Sequence, residues 1–199
     1  WTKYFNDFND KCDYISIWNK GILIMATNLE FISKTVVTSN TTSLTISPIF
    51  SDKYDVYKVI VTNTSSSSTN PYFFSLRFTD SSNSIISDSE YDYAQLYMKS
   101  NASFNENRAV NQDKLPEPFG ETDASPESSS AVMYVYNPYS NSSFTFIQVQ
   151  SSFAVEGVSK GGKYIGVYTD TEQVNGINIF RSSGSEEMAG ATISVYGVK

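Results

Sequence analysis

Four carboxylates, Asp80, Asp88, Glu90 and Asp92, lie close together in the chain, and Arg77 precedes them in the run Ser75-Leu76-Arg77-Phe78. Two carboxylates are the minimum equipment of a glycosidase, one protonating the leaving oxygen and the other acting as base or nucleophile. Clustered hard oxygens also suit calcium. Alternation along a strand puts Glu90 and Asp92 on the face opposite Tyr91 and Tyr93, which is first of all the pattern of a solvated strand face. No acid–base pair stands out and no EF-hand loop is present, so no catalytic residue, no metal ligand and no cofactor is assigned, with calcium kept as an alternative. What is left for these residues is recognition. Arg77, Glu90, Tyr91 and Tyr93 are the candidate ligand-binding set, the rings (with Tyr97) offering a platform for a sugar and the charged groups offering hydrogen bonds. The competing structural reading pairs Arg77 with a nearby carboxylate and half-buries the tyrosines in a sheet.

Other chemistries are closed by composition. The 199 residues contain no histidine and one cysteine, Cys12. Ser-His-Asp and Cys-His catalysis and His-ligated zinc are therefore excluded, and no intrachain disulfide can form. The net charge of −7 argues against nucleic acid as a partner, because phosphate binding depends on basic patches. No run approaches the roughly 18–20 apolar residues of a membrane-spanning helix, so membrane insertion is not expected. Lys160-Gly161-Gly162-Lys163 lacks the spacing of a phosphate-binding loop and reads as a hairpin turn. Sequons occur at Asn40, Asn63, Asn101 and Asn141, as chance provides in a chain so rich in Ser and Asn.

The elements that would position such groups read as strands. Tyr, Phe and Trp make up 15% of the chain, and aromatic and β-branched residues favour strands. Short runs with period-2 or continuous apolar character occur at 29–37, 43–46, 54–62, 72–79, 91–98, 131–136, 143–151, 163–168, 177–180 and 191–196. That spacing predicts a sandwich or barrel. Asn137 to Asn141 reads as the turn of a hairpin, and the Pro-containing stretch 100–130 as a long surface or contact loop. The last run reaches the C-terminal residues, so the sheet should depend on it for closure. At the other end Trp1, Tyr4, Phe5 and Phe8 are spaced i, i+3, i+4, i+7, an amphipathic helical stripe. Residues 1–24 are accordingly read as an N-terminal arm or docking segment, with Trp1, Tyr4, Phe5 and Phe8 as its assembly contacts, and residues 25–199 as one β-sandwich domain.

From Met25 the chain resembles a diverse group of bacteriophage virion proteins, notably those of marine and cyanobacterial phages. The residues that carry this are Met25 to Ile32, Leu44 to Phe50 followed by Tyr54 to Val61, Leu76 to Ser81, Ser89 to Ala94, and the ending Gly190 to Lys199. The resemblance implies an all-β fold, a jelly-roll-like antiparallel β-sandwich with a short N-terminal extension, displayed on the virion exterior. It implies a non-enzymatic structural protein of a capsid decoration, collar, tail or fibre. Its partners would be other virion proteins and copies of itself in a homo-oligomer, a trimer being one closed arrangement. The alternative is a carbohydrate- or receptor-binding module of a phage fibre that recognises a host-surface glycan.

Overall fold

The computed structural model describes residues 28–67, 71–123, 126–181 and 187–199. The proposed arm contacts Trp1, Tyr4, Phe5 and Phe8, together with Cys12, lie outside them. Among the described residues there is no helix, and hence none long and apolar enough to cross a membrane. The strands are β1 (Leu29–Val37), β2 (Ser43–Ile46), β3 (Val56–Ser66), β4 (Tyr72–Phe73), β5 (Ser75–Asp80), β6 (Tyr91–Lys99), β7 (Asn105–Gln112), β8 (Glu121–Thr122), β9 (Ser129–Tyr136), β10 (Thr145–Val155), β11 (Val158–Tyr168), β12 (Val174–Phe180) and β13 (Met188–Val198).

The pairing is nested and entirely antiparallel. β1 joins β13, β2 joins β12, and β3 joins both β13 and β9. Strands near the two ends of the chain thus pair with each other and enclose those between them, the ribbon logic of a jelly roll. The division is uneven, however. One sheet has eight strands in the order β1-β13-β3-β9-β10-β11-β6-β7, and the facing sheet has three, β2-β12-β5. A two-stranded piece, β4-β8, stands beside them.

The core lies between the large sheet and the small one. β10 shows how the sequence specifies it: Thr145, Ile147, Val149, Ser151, Phe153 and Val155 are buried, while Phe146, Gln148, Gln150 and Ser152 face outward. β12 is buried along most of its length because the large sheet covers one face and its neighbours cover its edges, so Ile177 and Ile179 sit in the centre of the sandwich. Phe78 of β5 reaches across to Tyr91 of β6 and Tyr168 of β11, with ring centroids 6.2 Å away in each case, and those two tyrosines lie 5.2 Å apart. These fully buried rings tie the two sheets together.

Two expectations about turns are corrected. Lys160 to Lys163 is the interior of β11, paired with both β10 and β6. The hairpin turns earlier, at Glu156 and Gly157, where both residues have positive φ (52° and 74°), the conformation that a two-residue hairpin loop requires. Nothing lies within 4 Å of the place where a Cβ of Gly157 would stand, so the backbone angle alone accounts for the glycine. The stretch 100–130 is also not one long loop. It contains β7 and β8, and its Leu115 and Phe119 are buried in the core. Leu115 exchanges backbone hydrogen bonds with Leu76, so this segment closes the free edge of β5. The hairpin at Asn137 to Asn141 lies where the sequence puts it, between β9 and β10.

Candidate functional site

The four residues proposed for ligand binding are dispersed by the fold. Tyr91 has no exposed surface; its hydroxyl donates to the Ile86 carbonyl oxygen and accepts from the Phe78 amide, both at 3.1 Å. Burial pushes its ionisation far above the ordinary tyrosine range. Tyr93 also faces inward and stacks on Tyr164, with the rings 5.6 Å apart and nearly parallel. Arg77 is a clamp within the small sheet. Its Nε donates to the Asp113 carbonyl oxygen at 2.8 Å, its guanidinium pairs with the Asp113 carboxylate, and it lies 4.6 Å from the centre of the Phe180 ring. Burial alone would raise Asp113, but Lys114 and Arg77 reverse this and hold it below the usual carboxylate range.

Glu90 stands apart from these contacts. Burial first, and then the neighbouring Asp170, Asp88 and Glu172, raise its carboxyl above the ordinary value. Crowded acids of this kind could suggest a cation, yet among the described residues no three acidic or sulfur-bearing groups are placed to hold a metal ion.

The exposed site is on the other side of the large sheet, among residues that, Asp92 and Lys163 apart, the sequence did not single out. Register builds it row by row. Lys58, Tyr134, Gln148, Ile165, Ala94 and Arg108 are successive partners across β3, β9, β10, β11, β6 and β7. Ile60, Val132, Gln150, Lys163, Leu96 and Glu106 form the next row. On the far side, Tyr136, Phe146, Val167 and Asp92 form a third. Together the rows floor two adjoining hollows of about 660 Å³ each, which share Ala94, Gln148 and Ile165.

This face is apolar around Phe146, Ile165 and Val110 and carries charged side chains beside them. Ile165 is 58% exposed, Phe146 43% and, on β7, Val110 62%. The Tyr136 hydroxyl donates to Gln148 Oε1 at 3.1 Å, and its ring lies 6.4 Å from that of Tyr134. Lys58 Nζ lies 5.8 Å from the centre of the Tyr134 ring. The three rows carry three cations (Lys58, Lys163, Arg108) and two carboxylates (Glu106, Asp92), whereas the whole chain carries a net −7. A conventional nucleophile–base pair is not among these side chains. The arrangement can bury apolar surface and match opposite charges.

Comparison with known proteins adds little. No protein-family model and no curated protein matches the chain. Among solved structures, a fructofuranosidase from Schwanniomyces occidentalis complexed with fructosylnystose aligns with 87% of this chain at 10% identity and a TM-score of 0.21. The chain spans 35% of that structure's length, and so slight a likeness bears on neither fold nor function.

Proposed function

We propose that this chain is a non-enzymatic structural protein of a phage virion, displayed on the particle exterior, and that it assembles with further copies of itself through the outer face of its large sheet. The observation that supports assembly is the exposure of Phe146, Ile165, Val110 and Leu96 on one sheet face. Soluble monomers rarely leave a large contiguous apolar patch in water, and covering it is favourable by roughly 25 cal/mol per Å² of apolar surface. A second copy is the occupant that fits the charges. A net −7 chain repels its own kind at long range, but this face carries both signs, so Lys163 of one copy can meet Glu106 of another. The virion setting is supported by the resemblance from Met25 onward.

Light scattering on the intact protein, with and without the paired substitutions Phe146→Ser and Ile165→Lys, tests the assembly. The wild-type chain should form a closed oligomer and the double variant a folded monomer. Mass spectrometry of purified particles should find the protein as a stoichiometric component. A wild-type protein that stays monomeric at high concentration and is missing from particles would end this reading.

A further inference from the structure

A third, smaller hollow lies on the inner side of the large sheet, near the β10–β11 turn, where the two-stranded piece rather than the small sheet stands over it. It measures about 230 Å³ and is lined by Phe73, Tyr97, Lys99, Asn105, Glu121, Phe153 and Lys160. Three aromatic side chains enclose it. The Tyr97 ring lies 6.3 Å from Phe73 and 6.1 Å from Phe153, almost perpendicular to the latter. The Tyr97 hydroxyl is committed elsewhere, donating to Glu117 Oε2 at 3.0 Å, and Glu117 also accepts from Gln95.

The charges in this hollow are unusual. Lys160 and Lys99 stand directly opposite each other on β11 and β6. Like charges in that position repel and weaken a sheet. One of them is answered: Lys160 pairs with Glu121, both side chains being mostly buried, at 13% and 18% exposure. Lys99 has no ion-pair partner among the described residues. The fold therefore carries an uncompensated cation beside a buried ion pair, inside an aromatic enclosure, on a protein whose net charge is strongly negative. Core packing does not require a lysine there.

We propose that this hollow binds the carboxylate-bearing ring of an acidic glycan, a uronic or sialic acid residue. Lys99 and Lys160 meet the carboxylate through charge-assisted hydrogen bonds. Glu121 accepts from, and the exposed Asn105 amide donates to, ring hydroxyls. Phe73 and Phe153 cover the C–H face of the ring. The volume equals the liquid volume of about eight water molecules, which suits one sugar ring and not a chain segment. The surrounding negative charge disfavours polyanions, so the site selects a single terminal acid rather than nucleic acid or sulfated polymer. None of this depends on the outer face or on assembly between copies.

The test is titration of the full chain, followed by ligand-detected NMR, with methyl β-glucuronide, a methyl sialoside, methyl β-glucoside and acetate. At least one acidic glycoside should bind about tenfold more tightly than the glucoside, the ratio expected for one charge-assisted contact. Lys99→Met, which keeps the aliphatic stem, should remove that preference while melting at or slightly above the wild-type temperature, because Lys99 holds no ion pair to lose and its repulsion of Lys160 is relieved. Phe73→Ala should weaken binding of the acidic glycoside and the glucoside alike. Equal affinity for acidic and neutral glycosides, a preference that survives Lys99→Met, acetate binding as tightly as the glycosides, or no binding by any of the four would each overturn the assignment.

Discussion

The two faces of the eight-stranded sheet are made from the same strands and obey different rules. On β10, Ile147 is buried beneath the small sheet, while Phe146, its neighbour in sequence, stands in water on the opposite side. On β11, Tyr164 and Ile165 differ in the same way. The inner positions are explained by what covers them in this chain. Phe146 and Ile165 are as apolar as their inner neighbours and have no cover among the described residues. Hydrophobicity by itself therefore does not mark the core of this molecule, and the excess on the outer face is what calls for a function.

The sharpest break of that symmetry is in the ring cluster that joins the sheets. Phe78→Ala removes the residue that reaches both Tyr91 and Tyr168, and should cost about 3–5 kcal/mol in denaturant unfolding. Next comes the adjacent pair on β10. Ile147→Ala should cost about 2–5 kcal/mol, whereas Phe146→Ser should stay within about 0.5 kcal/mol for the isolated chain and show its effect in association. Comparable losses at both positions would mean that the outer face is packed within the protomer after all. Smaller again is the clamp at the edge of the small sheet. Asp113→Ala leaves the Arg77 guanidinium with the backbone carbonyl and the Phe180 ring and should cost about 1 kcal/mol, since Asp113 is 44% exposed and the pair is partly screened.

The weakest effects are those of pH, and they run in opposite directions. Asp113 titrates below its ordinary 3.8 in the folded chain, so its contribution is complete above that value and is lost as pH falls through the folded value. Glu90 titrates above its ordinary 4.5, so the folded state holds the extra proton, and stability falls as pH rises from 4.5 through the raised value. Glu90→Gln should flatten that second slope in a melting-temperature profile while leaving the first untouched. An unchanged profile would show that neither burial nor the neighbouring Asp170, Asp88 and Glu172 raises Glu90 in solution.

Much of the strand grammar was legible. The limits of β1 and β2 agree with the runs read at 29–37 and 43–46, because alternation and turn residues bracket them cleanly. β7 escaped because its sequence, Asn105 to Gln112, is polar apart from the adjacent Ala109 and Val110 and, among the described residues, is held by β6 alone, with no apolar period to read. Leu115 and Phe119 escaped because single apolar residues among prolines carry no periodicity, although each fills part of the core. Gly161 and Gly162 looked like a turn, yet a Cβ on Gly162 would come within 2.8 Å of the Ser151 hydroxyl, and farther along the strand one on Gly166 within 2.9 Å of Leu115, so Gly162 and Gly166 are there to admit neighbours. For the site, alternation correctly grouped Tyr91 with Tyr93 but could not say which side the small sheet would cover. Tyrosines on the outward side proved to include the half-buried Tyr134 and Tyr136, whose own alternation along β9 was equally visible. Choosing between the two sets required knowing the sheet order.

That order also imposes a timetable on synthesis. Among the described residues β1 pairs with β13 alone, and β3 needs the same strand on one of its sides, with Thr62 reaching Thr192 across 130 residues of chain. A ribosome delivers β1 early and must then translate nearly the whole domain before its partner emerges. Throughout that interval the nascent chain displays unpaired backbone along β1 and one side of β3, the kind of edge that recruits other strands. A message cut short before the final strand would therefore yield a sticky product rather than a smaller soluble one, and chaperone dependence of expression should rise with anything that slows translation between β3 and β13.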